Sequence, residues 1–196
     1  LSVVVPIYNE VENLRPLCQR VHEVLAPTSW TYELVLVDDG SSDGSSELLA
    51  ELHAQDDKLK VLRFRRNFGQ TAALAAGFEY AHGAVIVSLD GDLQNDPIDI
   101  PRLLAKLDEG YDLVNGWRVN RQDPFLSRRL PSQIANSIIS LTTRVKLHDY
   151  GCTLKAFRKE VAKELKLYGE MHRFIPALAG DMGARIAALP VTHHAR

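Results

Sequence analysis

Apolar residues recur along this chain in two rhythms, and the rhythms alternate. Residues 2–7 form a short β-branched run of the kind that fills a strand buried on both faces of a parallel sheet. Over 13–25 the period lengthens: Leu14, Leu17, Cys18, Val21 and Leu25 fall on one side of a helix. The alternation continues with a strand over 33–37 and a helix over 45–53, with Asp43 as its N-cap and Leu48, Leu49 and Leu52 inward. A strand over 61–64, an Ala-rich helix over 71–81 closing near Gly83, and a strand over 84–89 follow. Beyond them the pattern predicts a helix over 100–109 with Pro101 near its start, a strand over 111–115, a loop over 120–131 and a helix over 132–143. The last elements are a strand over 153–157, helices over 160–167 and 174–182, and a strand over 186–191.

The strand–helix alternation over 2–64 predicts an α/β fold with a parallel sheet and right-handed crossovers. In such sheets ligands bind beyond the carboxyl ends of the strands, so the residues that follow each strand carry the information. At 196 residues the chain has room for one such domain, 1–196. A hydrophobic fraction of 45% and a charged fraction of 24% exclude a disordered or collagen-like chain. A net charge of -2 gives no footprint for nucleic acid. Two cysteines, Cys18 and Cys152, are too few for a disulfide framework and suit a reducing compartment; Cys152, with no His partner nearby, reads as a packed thiol. The chain begins without Met or a basic leader and stops at THHAR, so it reads as a piece of a longer protein. No apolar run approaches the length of a membrane span; the nearest candidate, 174–191, contains Asp181 and Arg185 and reads as helix then strand, so any membrane anchor is expected outside the chain.

Three strands end in polar clusters: Pro6-Ile7-Tyr8-Asn9-Glu10, Asp38-Asp39-Gly40-Ser41-Ser42-Asp43-Gly44, and Asp90-Gly91-Asp92-Leu93-Gln94. On one rim, these carboxylates repel one another unless a cation or a hydrogen-bonding ligand lies between them. Asp90 and Asp92 fall on one side of an extended backbone, with Gln94 in the same register, a set of oxygens suited to Mg²⁺. An Asp-Gly turn without ligand is the alternative. Arg63–Arg66 precede a helix start, where phosphate is favoured, although a solvated basic edge has the same appearance. Arg118, Arg121, Arg128 and Arg129 form a second basic group. Neither G-x-x-x-x-G-K-[ST] nor G-x-G-x-x-G occurs, which argues against a P-loop enzyme or a dinucleotide dehydrogenase. His193 and His194 are adjacent, point to opposite sides of a strand, and read as surface residues.

The segments VVVPIYNEVENL (3–14), LVLVDDGSSDGS (34–45), RNFGQTAALAAGFEYAHG (66–83), SLDGDLQNDP (88–97) and DYGCTLKAFR (149–158) occur in this order. Together they resemble family 2 inverting glycosyltransferases of the GT-A fold. The resemblance is strongest to the polyprenyl-phosphate type, which includes dolichol-phosphate mannosyltransferase-like and undecaprenyl-phosphate aminoarabinose transferase-like enzymes. It covers nearly the whole chain. It implies a Rossmann-like, mostly parallel sheet flanked by helices. The implied activity is transfer of a sugar from a GDP- or UDP-linked donor to a polyprenyl phosphate, with Mg²⁺ or Mn²⁺ as cofactor. Carried over by position, the resemblance implies that Pro6, Tyr8 and Glu10 line the nucleotide pocket. Val37 and Asp39 would meet the base, Asp39 accepting from a ring N–H. Asp90, Asp92 and Gln94 would hold the metal, Arg118 would contact the donor phosphates, and Arg128 or Arg129 the lipid phosphate. Asp149 falls near the acceptor. Glu170 falls near a catalytic acidic pair that is not intact here, because Met171 follows it. Asp149, Asp92 and Glu170 are thus the implied catalytic candidates. The resemblance also implies a membrane surface on its cytoplasmic face, with membrane-associated elements beyond this chain, and leaves a homo-oligomer open.

A lipid monophosphate has a second pKa of about 6 and is largely ionised at neutral pH, so it needs positioning more than deprotonation. A sugar hydroxyl, the acceptor in polysaccharide synthesis, would need a general base. The broken acidic pair and the Arg cluster favour the phosphate. A sugar-nucleotide pyrophosphorylase would carry a Gly-rich turn where PIYNE stands. A phosphoacceptor receiver module would be shorter. An inactive nucleotide-binding scaffold would have no need of both Asp90 and Asp92.

Overall fold

A computed structural model of the chain describes residues 1–119 and 147–195. Seven strands form one sheet: β1 (Ser2–Ile7), β2 (Glu33–Asp38), β3 (Leu59–Arg63), β4 (Val85–Ser88), β5 (Leu113–Trp117), β6 (Lys155–Arg158) and β7 (Ile186–Pro190). Their order across the sheet is β3-β2-β1-β4-β6-β5-β7. β1 to β4 pair in parallel, as do β5 and β7, while β6 runs antiparallel to both of its neighbours. The helices are α1 (Val11–Leu25), α2 (Ser45–Gln55), α3 (Gln70–Tyr80), α4 (Ile100–Asp108), α5 (Lys159–Glu164) and α6 (Ile175–Asp181), with short 3-10 turns over Pro97–Asp99 and Met171–Phe174.

Side-chain alternation along β1 explains why its sequence is apolar from Val3 to Ile7. Val3, Val5 and Ile7 pack with Leu14, Leu17 and Val21 of α1, Leu49 of α2 and Leu103 of α4. Val4 faces the other way, into a layer with Ala73, Leu74 and Phe78 of α3, Ala162 of α5 and Ile175 of α6. Both faces of the sheet are covered, so neither set of positions is free to be polar. α3 lies close on its face: a methyl group at Gly77 would strike Val4 and come within 3.2 Å of Val37.

The first strand matches its sequence pattern residue for residue, and α1 to α4 agree with theirs to within two residues at each end. Asp43 does not cap α2. Gly44, at φ 97°, holds the cap position. Asp43 instead accepts from the Ser45 backbone N–H (3.0 Å) and the Ser45 hydroxyl (2.6 Å) with one oxygen, and from the Val11 N–H at the start of α1 (3.0 Å) with the other. The strand expected over 153–157 begins only at Lys155, because Thr153 turns toward β4. The loop and helix expected over 120–131 and 132–143 lie outside the described residues. The reversal of β6 has no signal in its hydrophobic pattern. It matters for the site: a reversed strand enters the sheet at the rim where its neighbours leave it, so the residues just before β6 join those that follow β1, β2 and β4.

Candidate active site

A cleft of about 320 Å³ opens on that rim, lined by Pro6, Ile7, Tyr8, Glu10, Asp39, Asn67, Gly69, Gln70, Asp90, Gly91 and Asp92. All three strand-end clusters contribute to it. Its first wall is two loops laced together. Asn9, held at φ 55°, donates its N–H to the Ser41 hydroxyl (3.0 Å) and accepts from the Ser42 N–H through its side chain (2.9 Å). Glu10 donates its N–H to the Ser45 hydroxyl (3.1 Å). These bonds satisfy loop amides that would otherwise compete for a ligand.

The second wall is built on Asp39. This buried carboxylate accepts the N–H of Phe68 (2.7 Å) and of Gly69 (2.9 Å), one on each oxygen, and so fixes the turn that leads into α3. Gly40 makes that contact possible. It sits at φ 71°, and a Cβ there would run into the backbone of Arg66 and Asn67. Arg66 lies 4.3 Å from the ring centroid of Phe68, which is exposed. In the segment expected to favour phosphate it is Asn67, Gly69 and Gln70 that line the cleft, and Arg63, Arg65 and Arg66 do not.

The floor carries Asp90 and Asp92. The backbone here is not extended: it turns at Gly91–Asp92, and Leu93 has φ 60°. The expected alternation from Asp90 through Asp92 to Gln94 therefore does not hold. Both aspartates line the cleft, but Gln94 is not among its lining residues. Its N–H instead closes the turn on Asp92 Oδ1 (3.1 Å), and its carbonyl accepts from the N–H of His194 (2.7 Å). Asp90 accepts from Gln70 Nε2 (2.8 Å) on one oxygen and from the Thr153 hydroxyl (2.6 Å) on the other. Burial pushes the Asp90 carboxyl up to about 6; the Thr153 hydroxyl opposes the rise, Asp92 adds to it, and Lys155 and Arg118 pull it back.

Beneath the floor lies a buried charged group. Arg118 grips Asp149 in bidentate fashion, Nε to Oδ2 at 2.7 Å and Nη2 to Oδ1 at 2.9 Å, with the Arg118 N–H adding a third contact at 3.3 Å. Asn115 donates to the Asp149 carbonyl (2.6 Å). Lys155, fully buried in β6 between Ser88 and Asn115, donates to the Cys152 carbonyl. Burial lowers its pKa, with Asp149 and Asp90 among the charges that oppose the fall. Cys18 and Cys152 are both buried, and burial pushes each thiol up to about 11, as packed thiols should behave.

Of the residues singled out in the sequence, the structure brings Pro6, Tyr8, Glu10, Asp39, Asp90 and Asp92 to one cleft. Val37 does not reach it: the residue is fully buried and its side chain packs under α3 at Gly77. Asp149 is not a free base, since both of its oxygens accept from Arg118. Glu170 stands exposed at the start of the 171–174 turn, 3.5 Å from Arg173, and does not line the cleft. Arg121, Arg128 and Arg129 lie outside the described residues. His194 is exposed and its Nε2 lies 3.0 Å from Asp96, while His193 bridges Asn95. Gln70, Thr153, Asn95 and Lys155 carried no signal of their own. Gln70 and Thr153 stand inside the quoted segments, but only the sheet register shows that they meet Asp90.

Among the described residues no three His, Cys, Asp or Glu side chains gather to hold a metal. The floor fits the other arrangement, in which a hard cation takes one or two carboxylates and completes its shell with phosphates and water. Asp92 lines the cleft with one carboxylate oxygen that accepts no hydrogen bond among the described residues, which suits such a ligand.

Residues 2–166 match the model of a family described as glycosyl transferase family 2. A dodecaprenyl-phosphate galacturonate synthase of Rhizobium johnstonii is 48% identical over 200 residues, covering 100% of this chain and 59% of its own length. An undecaprenyl-phosphate 4-deoxy-4-formamido-L-arabinose transferase of Klebsiella pneumoniae is 42% identical over 197 residues, covering 100% of this chain and 60% of its own. The chain thus spans about three-fifths of these relatives. Among solved structures, a mannosyltransferase from Pyrobaculum calidifontis in complex with GDP-Man and Mn²⁺ superposes with a TM-score of 0.71 at 19% identity, over 96% of this chain and 54% of that one. A glucosyl-3-phosphoglycerate synthase from Mycobacterium tuberculosis, in complex with Mn²⁺, UDP and phosphoglyceric acid, gives 0.73 at 18%, over 100% and 70%. These likenesses bear out the α/β, mostly parallel GT-A fold.

Proposed function

Because the chain belongs to glycosyl transferase family 2, we propose that its cleft binds the diphosphate of a nucleotide-linked sugar, GDP or UDP, and that the protein passes the sugar to a polyprenyl phosphate with inversion. The observation that carries this reading is the pair of carboxylates, Asp90 and Asp92, on the floor of a cleft walled by Asp39 and the loop at Tyr8. An anionic ligand is tolerated there if a divalent cation intervenes. Asp92 would hold Mg²⁺ or Mn²⁺, with Asp90 beside it; the Mn²⁺ in the two superposable enzymes supports that assignment. Such a cation supplies Lewis-acid stabilisation of the charge that builds on the leaving diphosphate.

The chain's own residues do the rest. Tyr8, about half exposed at the mouth, offers a ring face to the base. Asp39 has its two N–H bonds inward and its remaining lone pairs available to a ring N–H. Arg118 presents Nη1, which carries no hydrogen bond among the described residues, as a preorganised donor to phosphate. Asp149 aims that guanidinium.

The acceptor assignment draws on the relatives, which act on dodecaprenyl and undecaprenyl phosphates by name. It also draws on the commitment of Asp149 to Arg118, which leaves that acid unfit to deprotonate a hydroxyl. An ionised phosphate needs no such base. On this reading residues 1–196 form a single catalytic domain that works at the cytoplasmic face of a membrane, where its lipid acceptor lies.

The test is a donor screen against undecaprenyl and dolichyl phosphate with a protein extended past residue 196, with and without Mg²⁺ or Mn²⁺. Transfer from one GDP- or UDP-linked sugar is expected. Chelation should abolish it, and Asp92→Asn should lower it by about two orders of magnitude, the scale of losing one preorganised electrostatic contact to the transition state. Transfer to a free oligosaccharide but to neither lipid phosphate would overturn the acceptor assignment.

A further inference from the structure

Thr153 holds one hydroxyl proton between two polar neighbours. Its Oγ1 lies 3.0 Å from Nδ2 of Asn95 and 2.6 Å from Oδ2 of Asp90. An amide NH₂ can only donate, so Thr153 accepts from Asn95 and directs its own proton to Asp90. The amide is oriented in turn, because the Cys152 thiol lies 3.7 Å from its Oδ1. Asn95 is 2% exposed, and its backbone forms an antiparallel bridge with His193, next to the bond from the His194 N–H to the Gln94 carbonyl. A directed chain of donors therefore runs from the Cys152 thiol through Asn95 and Thr153 to the carboxylate on the cleft floor, and the C-terminal segment braces Asn95 through its backbone.

We propose that Asn95 and Thr153 are positioning residues for Asp90: Asn95 commits the Thr153 hydroxyl to donate, Thr153 fixes the plane of the Asp90 carboxylate, and the bridge to His193 holds Asn95 in place. With Gln70 on the other oxygen (2.8 Å), each Asp90 oxygen accepts one fixed donor and keeps a lone pair for the cleft. This inference rests on the reading of the cleft as a nucleotide-sugar site.

The experiment measures binding of UDP and GDP by titration calorimetry, with and without Mn²⁺, together with the thermal midpoint, in the whole protein. Thr153→Val keeps the shape and loses the donor. Thr153→Ser keeps the donor. Asn95→Asp keeps the shape but turns the donor into an acceptor that competes for the hydroxyl proton. Thr153→Val and Asn95→Asp are expected to weaken Mn²⁺-dependent binding about tenfold or more, the scale of one lost hydrogen bond to a buried charge. Metal-free nucleotide binding should stay within about twofold of wild type, and Thr153→Ser should restore the Mn²⁺-dependent affinity. Asn95→Asp carries the test if Thr153→Val does not fold. Wild-type Mn²⁺-dependent affinity in Thr153→Val or Asn95→Asp would overturn the proposal alone, as would a Ser variant as defective as the Val. Absence of Mn²⁺-dependent binding in the wild type would overturn the reading of the cleft, and the positioning role with it.

Discussion

Arg118 and Asp149 show what a single pair of charges does at this site. Their side chains are 13% and 5% exposed, so each is expensive to bury alone and each offsets the other's charge. Asp149→Ala should cost about 3 kcal/mol in urea denaturation by leaving the guanidinium uncompensated. Arg118→Met with Asp149→Leu should recover most of that loss while remaining inactive in sugar transfer. Recovery of activity in the double variant would remove Arg118 from the chemistry. Asp90, Asp92 and Asp39 were legible in the sequence because each follows an apolar run, and strand ends are where ligands bind. Gln70 and Thr153 were not. They reach Asp90 from residues 20 and 63 positions away, and no local pattern reports such a meeting. Gln94 was misplaced because period-2 reasoning applies only to an extended backbone, and Leu93 at φ 60° ends that condition.

Helix α3 illustrates how an element is set. Its Ala-rich sequence gives little amphipathic contrast, and its placement rests on close approach at Gly77. Gly77→Ala gains helix propensity but forces a methyl group against Val4, and a net cost of about 1–2 kcal/mol is expected from equilibrium unfolding. The first turn of the same helix is tied to the 171–174 turn by the buried contact between Thr71 Oγ1 and His172 Nδ1 (2.7 Å). Burial holds the His172 pKa below its usual value; Glu170 opposes the fall, and Arg173 and Lys155 add to it. The folded protein therefore binds this proton less readily than the unfolded chain does. The stability is fully present above pH 6.5 and is lost as pH falls through the folded value. Urea midpoints at pH 7.5 and 5.0 should fall more for the wild type than for His172→Asn, and equal falls would contradict this. The limits of α1 to α4 were legible because both faces of the sheet impose apolar periodicity on what covers them. The direction of β6 was not, since a buried strand reads alike in either direction.

For the whole molecule, the proposed cation and nucleotide bind the folded state alone, so they should raise its stability by mass action. At a hundredfold excess over Kd the gain is about 2.7 kcal/mol, read as an upward shift of the melting midpoint that a chelator reverses. No shift with Mn²⁺ and either UDP or GDP would count against the cleft. One consequence follows from how β6 pairs with β4. Thr153 and Asp90 stand just past the last rung of a hydrogen-bonded ladder, Ser88 opposite Lys155, whereas Tyr8, Asp39 and Gln70 stand on loops and a helix start. On the proposed function, the seat of the pyrophosphate is thus anchored to the sheet on two strands, while the walls that would meet a base and a sugar are carried by connecting segments. Sequence change in those segments is expected to alter which activated monosaccharide is accepted, with the ionic seat left untouched.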